Sequence, residues 1–211
     1  MNMFKSLFDK IAEFVVINIG KIHWGYKNGL TTEELDSLRK LLKDNYYVIV
    51  THRNNHLSTF FVGFASWVLT RKWSYWAHAL LNLENEVNSD ADFRLIEATG
   101  AGTNYSPFGL VFQVHGVALL KPKSMSAEYW TKVMEKANSE LGKPYDSLFD
   151  LANDNALSCV ELVRTALMAE PDYEINFANF EAMIKSDKNL TPQMYYDCSD
   201  FEVVYEVRRQ R

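Results

Sequence analysis

Only two of the 211 residues are cysteine, Cys159 and Cys198. A disulfide framework needs more than that in a chain of this class. One bridge between the two is open to the protein, and two reduced thiols are the simpler reading. Basic charge is also scarce: the net charge is −5 and the sequence pI is about 5.6. A duplex-binding domain carries a basic face or stripe, and the tail Arg208, Arg209, Arg211 is too short to make one, so nucleic acid is not an expected partner. Long apolar runs are missing as well. The longest, residues 57–70, falls well short of the ~20 residues of a spanning helix. Asp9 and Glu13 interrupt the apolar start of the chain, and no small-residue cleavage site follows it, so no signal peptide is read there. The expectation is no transmembrane segment and a cytoplasmic location.

What is present suffices for one sizeable core. The composition is 47% hydrophobic and 14% aromatic, with an ordinary 23% charged. Residues 3–19 place Phe4, Leu7, Phe8, Ile11, Val15 and Ile19 at helical spacing. Such a helix can pack on the body of the protein, or it can touch a membrane surface or a partner, although its mixed charges lack the basic face of a membrane-surface helix. Thr31 and Glu34 have capping-box spacing, and Leu35, Leu38, Leu41 and Leu42 then form one apolar face. These two helices read as an N-terminal helical extension, residues 1–45. A second unit, residues 46–211, follows.

In that second unit residues 46–50 read as a strand and residues 57–70 as a buried helix. Residues 74–83, 93–98 and 110–120 read as further strands. Residues 126–141 return to helical spacing and stop at Gly142 and Pro144. A helix is expected over residues 159–168 and a last strand over residues 201–207. Helices and strands come in blocks, so the fold class is α+β, an antiparallel β-sheet packed against helices. No internal repeat and no low-complexity linker is visible.

The candidate chemistry begins at Cys159. Ser158 and Glu161 have capping-box spacing, which makes Ser158 the N-cap and Cys159 the first helical residue. Free backbone N–H groups and the helix dipole face that position. Both favour a thiolate, and the same N–H groups can stabilise an oxyanion. A cysteine at a helix start is equally a packed core residue, so a base must be found. Cys198 lies among Asp197 and Asp200, which disfavour a thiolate.

Five histidines could serve. His52 and His56 sit among polar residues read as loop, and His23 lies in a Gly-rich connection. His78 lies inside a strand-like run, where a polar ring needs a partner. His115 is its rival. Asn82 and Glu84 share a face with His78 but lie roughly 13 and 20 Å away along a strand. The orienting group must come from a neighbouring strand. Glu97 is the first candidate, and Gln113 and His115 are the next.

The segments Trp73-Ser-Tyr-Trp-Ala-His78, Leu95-Ile-Glu-Ala98, Gly142-Lys-Pro-Tyr-Asp146 with Phe149-Asp150, and Ser158-Cys-Val-Glu-Leu-Val163, taken together, resemble the permuted papain-like cysteine peptidases and amidases, the YiiX-like branch of the NlpC superfamily. The likeness spans about residues 46–168, with residues 190–207 as a closing part. It implies a circularly permuted papain-like fold with Cys159 as nucleophile, His78 as base and Glu97 as orienter. It also implies that Tyr145 lends its hydroxyl near the cysteine, where a tyrosine in a Pro-containing turn could equally just pack. No metal or cofactor is implied. The expected activity is a thiol hydrolase on an amide bond, with a peptide, a peptidoglycan fragment or an acyl-amide as substrate. A lipid-directed acyltransferase or thioesterase on the same fold is the alternative, as is a non-catalytic binding module using the N-terminal helices. The sequence Trp-Ala-His-Ala around His78, the segment before Asn45 and the loop at residues 86–92 depart from the family pattern, which bears on the substrate more than on the chemistry.

Overall fold

A computed structural model describes residues 29–54, 59, 67, 73–83, 93–146, 155–169, 172–187 and 190–209. The expected helix at residues 3–19, most of that at 57–70, the loop at 86–92, Phe149-Asp150, and His23, His56 and Glu84 lie outside them.

The first described helix, α1 (Thr32–Asp44), starts where the capping box places it: the Glu34 N–H donates to Thr31 Oγ1 at 3.3 Å and the Thr31 N–H to Glu34 Oε2 at 2.7 Å. Its Leu38 and Leu42 are fully buried. Chain order then gives β1 (Val48–His52), β2 (His78–Asn82), β3 (Leu95–Thr99), β4 (Gly102–Ser106), a one-turn helix α2 (Phe108–Val111), β5 (Gly116–Pro122), α3 (Ala127–Ser139) and α4 (Cys159–Leu167). The short helices α5 (Tyr173–Asn176), α6 (Ala178–Asp187) and α7 (Pro192–Asp197) precede β6 (Phe201–Arg208). No helix of the described residues is long and apolar enough to cross a membrane.

The six strands form one sheet in the order β4-β3-β2-β1-β5-β6. Every neighbouring pair is antiparallel. Strand β1 is buried at all five positions because it lies inside the sheet and both of its faces are covered. Val48, Val50, Ala79, Leu81, Ile96, Ala98, Ala118 and Leu120 face one core, which α3, α4, α6 and α7 complete. Ile49, Leu80, Leu95, Val117 and Leu119 face the other, with Leu38 and Leu42 of α1 and Phe108 and Val111 of α2. Each fully buried Leu, Ile or Val adds about 1.5–3 kcal/mol of transfer free energy, so the two packed faces hold the sheet in place. The Asn82 side chain ties α1 to β2: its Nδ2 donates to Leu42 O at 3.0 Å and Asn45 O at 2.9 Å, satisfying carbonyls that the end of the helix leaves open.

Several boundaries differ from expectation. The first strand runs to His52, so His52 is a buried strand residue and not part of a polar loop. The run at 110–120 divides: Pro107 starts a helical turn, and the strand begins only at Gly116. Strand β4 was not expected, because Gly100, Gly102 and Pro107 make this stretch read as turns.

Candidate active site

Helix α4 carries the cysteine. The Ser158 N–H donates to Glu161 Oε2 at 2.7 Å, and the Glu161 N–H to Ser158 Oγ at 3.4 Å, so both halves of the expected capping box are present. This starts the helix at Cys159 and leaves the cysteine on its first turn, at the N–H end of the helix. The helix is fixed from behind by Tyr195, whose hydroxyl donates to Val160 O at 2.8 Å. At its far end Arg164 donates twice to Glu181, at 2.8 and 3.0 Å. Cys159 is 5% exposed.

Strand β2 carries the histidine. The residues before it are held on several sides. Gln193 Oε1 accepts from the Tyr75 N–H at 3.0 Å and the Trp76 N–H at 3.4 Å, and the Ala77 N–H donates to Thr51 O at 3.0 Å. The Arg208 guanidinium lies over the rings of Tyr196, Tyr75 and Trp76, at 4.5, 5.2 and 5.2 Å from their centroids. His78 then begins the strand. Its Nε2–H donates to Glu97 Oε2 at 2.6 Å. The Cys159 sulfur lies close enough to the same ring for its charge to act on it. With Nε2 taken by Glu97, Nδ1 is the nitrogen left for the sulfur. The registered β2–β3 ladder covers Leu81↔Ile96 and Asn82↔Leu95. It does not extend to His78, so the ring sits where the two strands part.

Glu97 is 8% exposed and has two donors, His78 on Oε2 and the Ser106 hydroxyl on Oε1. Burial alone would raise its pKa; the hydrogen bond and charge of His78, the Ser106 hydroxyl and the charge of Arg53 lower it below the usual carboxylate value. Burial likewise pushes the His78 ring toward neutrality. The Cys159 sulfur, by its charge, and then Glu97, by its hydrogen bond and charge, outweigh this and raise the ring to about 10. The arrangement therefore favours an imidazolium flanked by a sulfur and a carboxylate.

Tyr145 packs against the core cluster that contains Cys159. Burial first, then the charges of Cys159, Glu161 and Asp146, raise its hydroxyl well above the ordinary tyrosine value, so it stays a protonated donor. The segment that carries it is sewn to both neighbours. The Leu157 N–H donates to Pro144 O at 3.0 Å, the Thr103 N–H to Lys143 O at 2.9 Å, and the Gly142 N–H to Thr103 O at 2.9 Å. Gly142 turns at φ 82°.

Cys159, His78, Glu97 and Tyr145 thus come together. The rivals do not join them. The His115 Nδ1 accepts the Asn54 N–H at 3.1 Å, the Gln113 side chain is exposed, and Asn82 is engaged with α1. Both cysteines are free thiols. Burial first, with a contribution from the Asp200 charge, raises Cys198 to about 11. Ser106 was missed in the sequence because its strand was missed. Among the described residues no group of three or more His, Cys, Asp and Glu side chains is placed to hold a metal ion.

No protein-family model matches the chain, and neither does any curated protein. Among solved structures it resembles the crystal structure of the metalloprotein YiiX from Escherichia coli O157:H7, with a TM-score of 0.59 at 16% identity. The match covers 79% of this chain and 99% of that one. The chain therefore has a YiiX-like fold; the metal named in that description is YiiX's own.

Proposed function

We propose that the protein is a thiol hydrolase that cleaves an amide bond, built on a circularly permuted papain-like domain of the NlpC superfamily at residues 46–211. One arrangement carries the reading: a cysteine at a capped helix start lies beside His78, close enough for its charge to act on the ring, and the ring's Nε2 is held by a buried carboxylate. This is the nucleophile, base and orienter arrangement that acyl transfer needs.

The steps follow from the groups. The Cys159 thiolate attacks the substrate carbonyl carbon, and the oxygen becomes an oxyanion. The first N–H groups of α4 and the Tyr145 hydroxyl are the donors near it. The His78 imidazolium gives its Nδ1 proton to the leaving nitrogen, the C–N bond breaks and an amine departs, leaving a thioester on Cys159. The now neutral His78 accepts a proton from water as the water attacks the thioester. Expulsion of the sulfur returns the thiolate, the imidazolium and a free carboxylic acid. Glu97 stabilises the cationic ring throughout and keeps its proton on Nε2.

Peptides, peptidoglycan-type peptides and acyl-amides share the bond that this chemistry cleaves. If an acceptor other than water takes the acyl group, the same intermediate serves an acyltransferase; if a thiol rather than an amine leaves and water is the acceptor, it serves a thioesterase. The test is to trap that intermediate. Incubation with p-nitrophenyl esters and p-nitroanilides of amino-acid and fatty acyl groups should release the chromophore and add the acyl mass to Cys159 alone, and Cys159→Ala should abolish both. Acylation spread over surface lysines and unchanged in Cys159→Ala would overturn the proposal.

A further inference from the structure

We propose that Ser106 is a positioning residue of this site, its hydroxyl holding the Glu97 carboxylate so that one oxygen stays aimed at His78 Nε2. The inference rests on the roles given above to Cys159, His78 and Glu97.

Ser106 is the last residue of β4, paired with Leu95, and Asn104 is paired with Glu97. In an antiparallel ladder this puts Ser106, Asn104, Leu95 and Glu97 on one face of the sheet. Ser106 is 6% exposed, so its single proton must be used inside the protein. Two acceptors are in reach: Glu97 Oε1 in a short contact and Asn104 Oδ1 at 3.4 Å. The shorter contact takes the proton.

Each Glu97 oxygen then has one donor, an imidazole N–H on one side and a hydroxyl on the other. The last torsion of a glutamate side chain is broad, so a carboxylate held by the histidine alone would swing. A second donor anchored on β4 removes that freedom. It also favours the ionised carboxylate, in the same sense as the charge of Arg53. The groups facing the pair are therefore His78 from β2, Ser106 and Asn104 from β4, Arg53 after β1, and Cys159 from α4, with Asp146, Glu161 and Cys159 acting by charge on Tyr145. An ionised, fixed Glu97 keeps the ring proton on Nε2 and leaves Nδ1 to the sulfur.

The experiment is the pH profile of iodoacetamide alkylation at Cys159 in the full chain, mapped by mass spectrometry, with circular dichroism reporting the fold of each variant. Ser106→Thr, which keeps a hydroxyl, should retain the wild-type profile. Ser106→Ala should move the rising limb up by about one pH unit, roughly a tenfold slower reaction at fixed pH on that limb. If Ser106→Ala does not fold, Ser106→Cys, which weakens the donor at similar volume, carries the same comparison. A Ser106→Ala profile that superimposes on wild type, while His78→Ala loses the fast reaction, overturns the Ser106 role alone. A His78→Ala profile that superimposes on wild type overturns the site reading and the Ser106 role with it.

Discussion

His78 is where several separate causes meet. A histidine raised in the fold from 6.5 to about 10 adds stability that is complete below 6.5 and is lost as pH rises through about 10. Glu97, lowered from 4.5, adds stability present above that value and lost as pH falls through its folded value. The pair is therefore most effective between these limits, where the ring is cationic and the carboxylate anionic. The prediction is that the His78 ring proton signals stay at the imidazolium position from pH 6 to 8 in NMR titration and move only toward pH 10. Glu97→Gln should bring the transition down. A wild-type transition near 6.5 would contradict the assignment. At this scale the sequence offers a separate signal for each residue: a capped helix start for Cys159, a polar ring inside a strand-like run for His78, and a place on the next strand-like run for Glu97. Ser106 carried no such signal, since a serine beside a proline reads as a turn. The effect on Cys198 was anticipated in direction, but its main cause is burial and not the neighbouring acids.

Among elements, the turn between β3 and β4 shows how the Tyr145 segment is brought close. Gly102 has φ 93°, and a Cβ there would lie 2.7 Å from Lys143 O, a backbone atom. Gly102→Ala should therefore be strained in conformation and clash at once, costing about 1–3 kcal/mol. In a chain of this length each kcal/mol lowers Tm by about 2–4 °C, so thermal unfolding followed by circular dichroism should fall by several degrees. An unchanged Tm would contradict the close approach. Capped, amphipathic elements were legible in advance: α1, α3 and α4 start at Thr31, Ser126 and Ser158, each with a side-chain cap. Elements without such signals were not. The helices α5 and α7 have no side-chain cap and are short, and β4 depends on its partner strand more than on its own residues.

For the molecule as a whole, the sheet is the device that brings distant residues into one place. His78 and Glu97 share a sheet face, whereas the core around Cys159 lies on the opposite face. The strands part at His78, and α4 packs against β2 and β3 there. Composition and periodicity gave the α+β class, yet neither reveals the strand order that makes the meeting possible. The likeness to YiiX extends over nearly all of that protein, so the arrangement of sheet and helices is shared although 16% of residues are. The most direct measurement is iodoacetamide alkylation of both cysteines across pH, in wild type and in His78→Ala. The account predicts rapid labelling of Cys159, lost in His78→Ala. Cys198, held near 11 by burial, should label slowly in both proteins and serves as the internal control. Slow labelling of Cys159 with an ordinary thiol profile that His78→Ala leaves unchanged would contradict the account.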